Sequence, residues 1–204
     1  MPRSRPALSL AILLALAPLS ASPALAQSSN ADAVNAGNAA SDVSPDPGSY
    51  LPLTTDIRQT SLTALQETIY ELSTLQHAAH QVHWNTIGIE FHQVHIFAEN
   101  LYTSLAASID MLGARMRSLG GPVAYAHGAI AAESGLEPLP DGELDAEAAF
   151  KELRRMYSVV SARLYERAEA VADDPGTHHL LVGTVNKVDK DLWMIRAHLT
   201  GSPQ

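Results

Sequence analysis

Four long stretches of this chain carry apolar residues at steps of three and four, and each ends at residues that cannot continue a helix. The first is predicted from about Asp56, read as its N-cap, to about Asn85. Its seam is Leu62, Leu65, Ile69, Leu72, Ala79 and His83, with Gln76 as a polar interruption. The second runs from about Glu90 to Leu119 on a stripe of Phe91, Val94, Ala98, Leu101, Leu105, Leu112 and Leu119, and stops at Gly120-Gly121-Pro122. A third starts near Leu144 or Asp145, carries Phe150, Leu153, Tyr157, Val160, Leu164 and Val171, and ends at the turn Asp173-Asp174-Pro175-Gly176. The fourth carries Leu181, Val185, Val188, Leu192, Ile195 and Leu199 and ends at Gly201. No stretch alternates like a strand over a useful length. The pattern predicts an all-α antiparallel four-helix bundle. One connection is unusual: from Gly120 to about Glu143 the link is far longer than bundle loops usually are. Such a crossover lets the second and third helices run parallel, and VAYAHGAIAAES within it is predicted to form a short helix.

The bundle is expected over residues 54–200, one domain of ordinary size. Residues 1–26 have the layout of a secretory signal peptide. Arg3 and Arg5 precede the apolar run ALSLAILLALAPL, and the small residues Ala24 and Ala26 precede the expected cleavage point. That run is short for a permanent membrane anchor. Residues 27–53, rich in Ser, Asn, Ala, Asp and Pro, offer little to bury and read as a flexible tail. The expectation is an exported protein, periplasmic or secreted, with no membrane partner after cleavage. Losing Arg3 and Arg5 takes the formal charge from −9 to −11. An acidic surface without a basic stripe argues against nucleic acid and for cations. With no cysteine, any metal must be held by nitrogen and oxygen.

Five of the nine histidines fall between residues 77 and 95, in HAAHQVHWNTIGIEFHQVH. On helices, His80 with His83, His92 with His95, and His95 with Glu99 share faces. Asp110 returns to within about 60° of the His95 face. Imidazole with carboxylate suits iron, manganese and zinc. A single histidine on a bundle face is ordinarily a packed or solvated polar residue, so the joint spacing carries the inference. Glu99 and Asp110 lie eleven residues apart, about 16 Å along a helix, too far to share one ion. If both serve one site, Asp110 comes from a second copy related by a two-fold axis, twice per dimer.

The stretch HWNTIGIEFHQVHIFAENLYTSLAASIDMLGARMRSLGG resembles the Dps-like miniferritins of the ferritin-like superfamily. That family places His-Trp-Asn near the end of the first helix, a second His twelve residues on, an acid four later, and Asp-x-x-x-Glu further along. His83-Trp84-Asn85, His95, Glu99 and Asp110 stand at those positions, and NKVDKDLWMIRAHL is similar to the family's last helix. The likeness runs from Thr54 to Leu199. It implies four-helix subunits in a hollow twelve-subunit shell. Iron, as Fe2+ and Fe3+, is bound at dimer interfaces, oxidised there by peroxide or oxygen, and stored inside as mineral. On this likeness His83, His95 and Glu99 come from one subunit and Asp110 from its partner, making the chain a ferroxidase-type oxidoreductase that protects against oxidative damage. The Glu-x-x-His pairs of larger ferritins occur nowhere in this chain.

Three departures bear on that expectation. Ala114 stands where the family has its glutamate, which removes a negative ligand. Glu99 replaces the commoner aspartate and keeps the charge. The basic tail that lets some members bind DNA is replaced by an acidic, Ala/Asn/Ser-rich one, so DNA condensation is not expected. The extra imidazole of His80, one turn before His83, is hypothesised as a compensating nitrogen ligand, against the alternative that His77, His80 and His92 face solvent or pack at an interface. Because of Ala114, the competing function is a non-enzymatic helical cage that buffers metal through a degenerate ferroxidase site. Asp173 and Asp174 resemble acidic residues near the cation pores of the family's shells, but a two-Asp turn before Pro-Gly is also good turn chemistry, and the turn reading is preferred.

Overall fold

The computed structural model describes residues 50–200; the expected signal peptide and all but the last residues of the expected tail lie outside the described residues. Five helices follow one another: α1 (Thr55–Asn85), α2 (Phe91–Ser118), α3 (His127–Glu133), α4 (Ala146–Ala170) and α5 (Pro175–Leu199). The fold is an all-α helical bundle, as the periodicity predicts. The predicted seams form its interior: Leu62, Leu65, Ile69, Leu72 and Ala79 of α1 and Leu153, Tyr157, Val160 and Leu164 of α4 have no solvent exposure. Phe91 differs, being substantially exposed at the start of α2.

The ends of the helices refine the expected boundaries. Thr54, not Asp56, caps α1, its hydroxyl accepting from the Ile57 amide at 3.3 Å. Asp56 lies in the first turn, where a carboxylate favours the helix dipole. Asp145 caps α4 through the Ala148 amide. The expected turn at residues 173–176 is shorter than predicted, because Pro175 already begins α5. Proline suits a first helical position, where its missing amide hydrogen is not needed. At the end of α2, Gly120 takes φ 86°, which side chains resist, and its neighbour Gly121 abuts Leu62.

The long connection does what the sequence predicts and shows how. α2 is about 42 Å long, and the link must return along that length. It climbs α1 by side-chain ties. Gln66 exchanges two 2.8 Å hydrogen bonds with the backbone of Ala124. Further up, Gln81 donates to the Pro140 carbonyl at 2.8 Å. At the top, Leu144 bonds to Asn85 and Ile87 across an isolated parallel bridge to Thr86. That bridge puts the start of α4 beside the turn from which α2 sets out, so α2 and α4 run parallel. α3 lies within the climb, packed on α1.

Two buried ionic clusters brace the frame. Glu71 of α1, 2% exposed, accepts from Arg163 and Arg167 of α4, and Arg163 also donates to the Ser134 carbonyl of the crossover. Asp174 accepts from Arg115 at 2.6 Å, from Ser61 at 2.9 Å and from the Thr177 hydroxyl and amide. The sequence reading preferred turn chemistry for Asp174. It is the buried N-cap of α5 and joins three helices.

Candidate metal centre at the first helix hairpin

The turn between α1 and α2 is short, so the last turn of α1 faces the first turns of α2. His83 is in that last turn, and His95 is one turn inside α2. Their rings stack with centroids 3.7 Å apart. The pairing is reciprocal. His83 Nδ1 is 3.0 Å from the His95 carbonyl, and His95 Nδ1 is 2.8 Å from the His83 carbonyl. A carbonyl only accepts, so each Nδ1 carries a hydrogen, and in the neutral ring the lone pair is then on Nε2. Metal-ligating histidines are commonly oriented by this kind of bond from the other ring nitrogen.

Aromatic side chains wall the pair. Tyr102 meets His83 edge-on at 5.3 Å, and Phe91 leans on His95 at 5.2 Å. Spacing could have found Tyr102, which lies seven residues after His95 and so on the same face of α2. His80 is sandwiched, 3.7 Å from Tyr102 and 5.1 Å from Trp84. Burial first, then the neighbouring His83 and His77, pushes its ionisation below the usual histidine range, so it stays neutral to lower pH.

The predicted cluster of five histidines therefore divides. His83 and His95 form the pair, and His80 stacks beside it. His77 is turned toward His127 of α3, with ring centroids 6.0 Å apart. His92 is exposed and has no ring contact among the described residues. Glu99, one turn beyond His95, and Asp110 are both exposed and have no hydrogen-bonding or ionic partner among the described residues. Ala114 is exposed one turn past Asp110. Among the described residues of this single chain, no three His, Asp or Glu side chains converge to hold a metal ion. Apolar side chains near the pair in sequence stand exposed: Trp84 is 69% exposed and Ile89 fully so, with Ile87 and Ile96 also exposed.

A family model described as a ferritin-like domain matches residues 62–202. The chain is similar to DNA protection during starvation protein 2 of Deinococcus radiodurans, 30% identical over 151 residues. The match takes in 74% of this chain and spans 62% of that relative's length. Among solved structures, Dps92 from Deinococcus radiodurans superposes with a TM-score of 0.70 at 30% identity, covering 72% of this chain and 90% of the other. DpsA14 from Streptomyces coelicolor does so with a TM-score of 0.75 at 25% identity, covering 79% and 96%.

Proposed function

This chain belongs to the ferritin-like domain family as a Dps-like member, and from that premise we propose that it takes up ferrous iron where two copies meet, oxidises it there and retains the ferric product. The observation that carries the proposal is the His83–His95 pair, whose Nδ1 hydrogens are tied to carbonyls so that both Nε2 atoms remain free to bind a cation. Iron is the substrate. The two imidazoles supply nitrogen donors of intermediate softness, and Glu99 with the partner's Asp110 supplies negative charge that offsets the ion's. Neither carboxylate is engaged by a described residue, so neither must break an ion pair to serve. Peroxide or oxygen accepts the electrons, and twelve copies closing into a shell would enclose the ferric product.

Asp110 is separated along α2 from Glu99, which keeps it from completing the pocket of its own chain. The exposed apolar surface around Trp84 supports a second copy covering this end of the hairpin. His80 is proposed as an additional nitrogen donor because it stands one turn before His83 on α1. Replacing it by alanine then weakens iron binding, by about tenfold; unchanged affinity and stoichiometry assign His80 to packing alone. The acidic charge balance argues against duplex DNA as a partner, and residues 1–26 support export.

Ala114 favours a second reading, in which the same pair buffers metal without oxidising it. Stopped-flow oxidation of ferrous iron separates the two. Rapid oxidation that falls at least about tenfold in His83→Ala and in Asp110→Ala supports the ferroxidase. Tight binding without oxidation supports the buffer.

A further inference from the structure

Away from the hairpin end, a cavity of about 270 Å³ opens between α1, α3 and the crossover, with Met156 of α4 also in its lining. Its chemistry differs from the first site. No carboxylate lines it. The polar side chains in its wall are engaged: Thr74 donates to the Tyr70 carbonyl, Gln81 donates to Pro140, and the Ser134 hydroxyl accepts from the Leu136 amide. Two imidazoles are not. His77 and His127 both line the cavity, and neither has a hydrogen bond to a described residue. Met156, without solvent exposure, is also in the lining.

We propose that this cavity binds a single soft monovalent cation, cuprous copper, through His77 and His127, with Met156 as the third donor. The inference goes beyond the iron proposal and does not depend on it. Two arguments select the ion. First, every donor is neutral, and a divalent ion set into an apolar wall with no carboxylate would carry uncompensated charge. A thioether beside imidazoles is a soft set that favours Cu(I) over iron, magnesium or calcium. Second, the ring spacing fits low coordination. With metal–nitrogen bonds of about 2.0 Å, each ring centre lies roughly 3.2 Å from a shared ion. Two rings at a tetrahedral angle would then be about 5.2 Å apart, and two opposed rings about 6.4 Å. The observed 6.0 Å lies nearer the opposed arrangement. Both rings are exposed at the mouth, so the ion enters from solvent.

The test is an anaerobic titration of the full-length protein with Cu(I) against a chromophoric cuprous chelator. One equivalent per chain is expected to persist in His83→Ala and to be lost in His77→Ala and His127→Ala. Met156→Leu, which conserves volume, is expected to weaken the site by about tenfold or more. His127 is exposed, so its variant should melt with the wild type and oxidise ferrous iron at the wild-type rate. X-ray absorption should report two nitrogens and one sulfur. A cuprous equivalent that survives His127→Ala, its absence from the folded wild type, or tighter binding of zinc than of cuprous copper overturns the proposal.

Discussion

Asp174 shows how much one side chain does in this frame. Its carboxylate caps α5 through the Gly176 and Thr177 amides and neutralises Arg115, with Ser61 and Thr177 hydroxyls filling the remaining lone pairs. Burial alone would raise its ionisation. The Thr177 and Ser61 hydrogen bonds and the Arg115 charge outweigh burial and hold the carboxyl below its ordinary 3.8. Asp174→Ala strands a largely buried guanidinium and removes a cap, and is expected to cost about 3–5 kcal/mol in urea unfolding at neutral pH. Because the folded value is depressed, that contribution is complete above the unfolded value and is lost as pH falls through the folded one. The gap between wild type and variant should narrow as pH falls below about 3.8. In the sequence this residue is indistinguishable from turn chemistry, since its partners lie 59 and 113 positions away. His83 and His95 were legible for the opposite reason: their twelve-residue separation spans one short turn, so local geometry brings them together.

Helix identities followed from periodicity, because burial of one face writes a repeat into the sequence. The path of the crossover did not. Below its closing bridge at Leu144 it is tied by single side chains, among them Gln66, Gln81 and Arg163, and such contacts leave no period to read. The N-cap of α1 was placed two residues late for a related reason: Thr54 and Asp56 are both good caps, and only geometry chooses between them. Where the crossover leaves α2, the packing is tight. A Cβ on Gly121 would sit 2.4 Å from Cδ2 of Leu62, a fully buried side chain. Gly121→Ala is expected to cost about 1–3 kcal/mol. Adding Leu62→Ala should recover part of that loss in a double-mutant cycle, and strict additivity of the two losses would contradict the packing account.

For the assembled molecule, the account requires two chains. One chain presents the imidazole pair, exposed apolar side chains beside it and two unengaged carboxylates, and among its described residues no three His, Asp or Glu side chains gather to hold an ion. Shared sites predict complementation. His83→Ala and Asp110→Ala chains, each inactive alone, should regain oxidation when co-assembled, because every mixed two-fold pair holds one site with both residues intact. A site built within one chain would stay inactive in the mixture. Crystals soaked in ferrous iron and measured at the iron absorption edge give the most direct view of the same point. The expected anomalous peak lies against the Nε2 atoms of His83 and His95 of one protomer and against the partner's Asp110. Iron bound elsewhere, or a peak at the histidines with the partner's Asp110 far from it, would contradict the account.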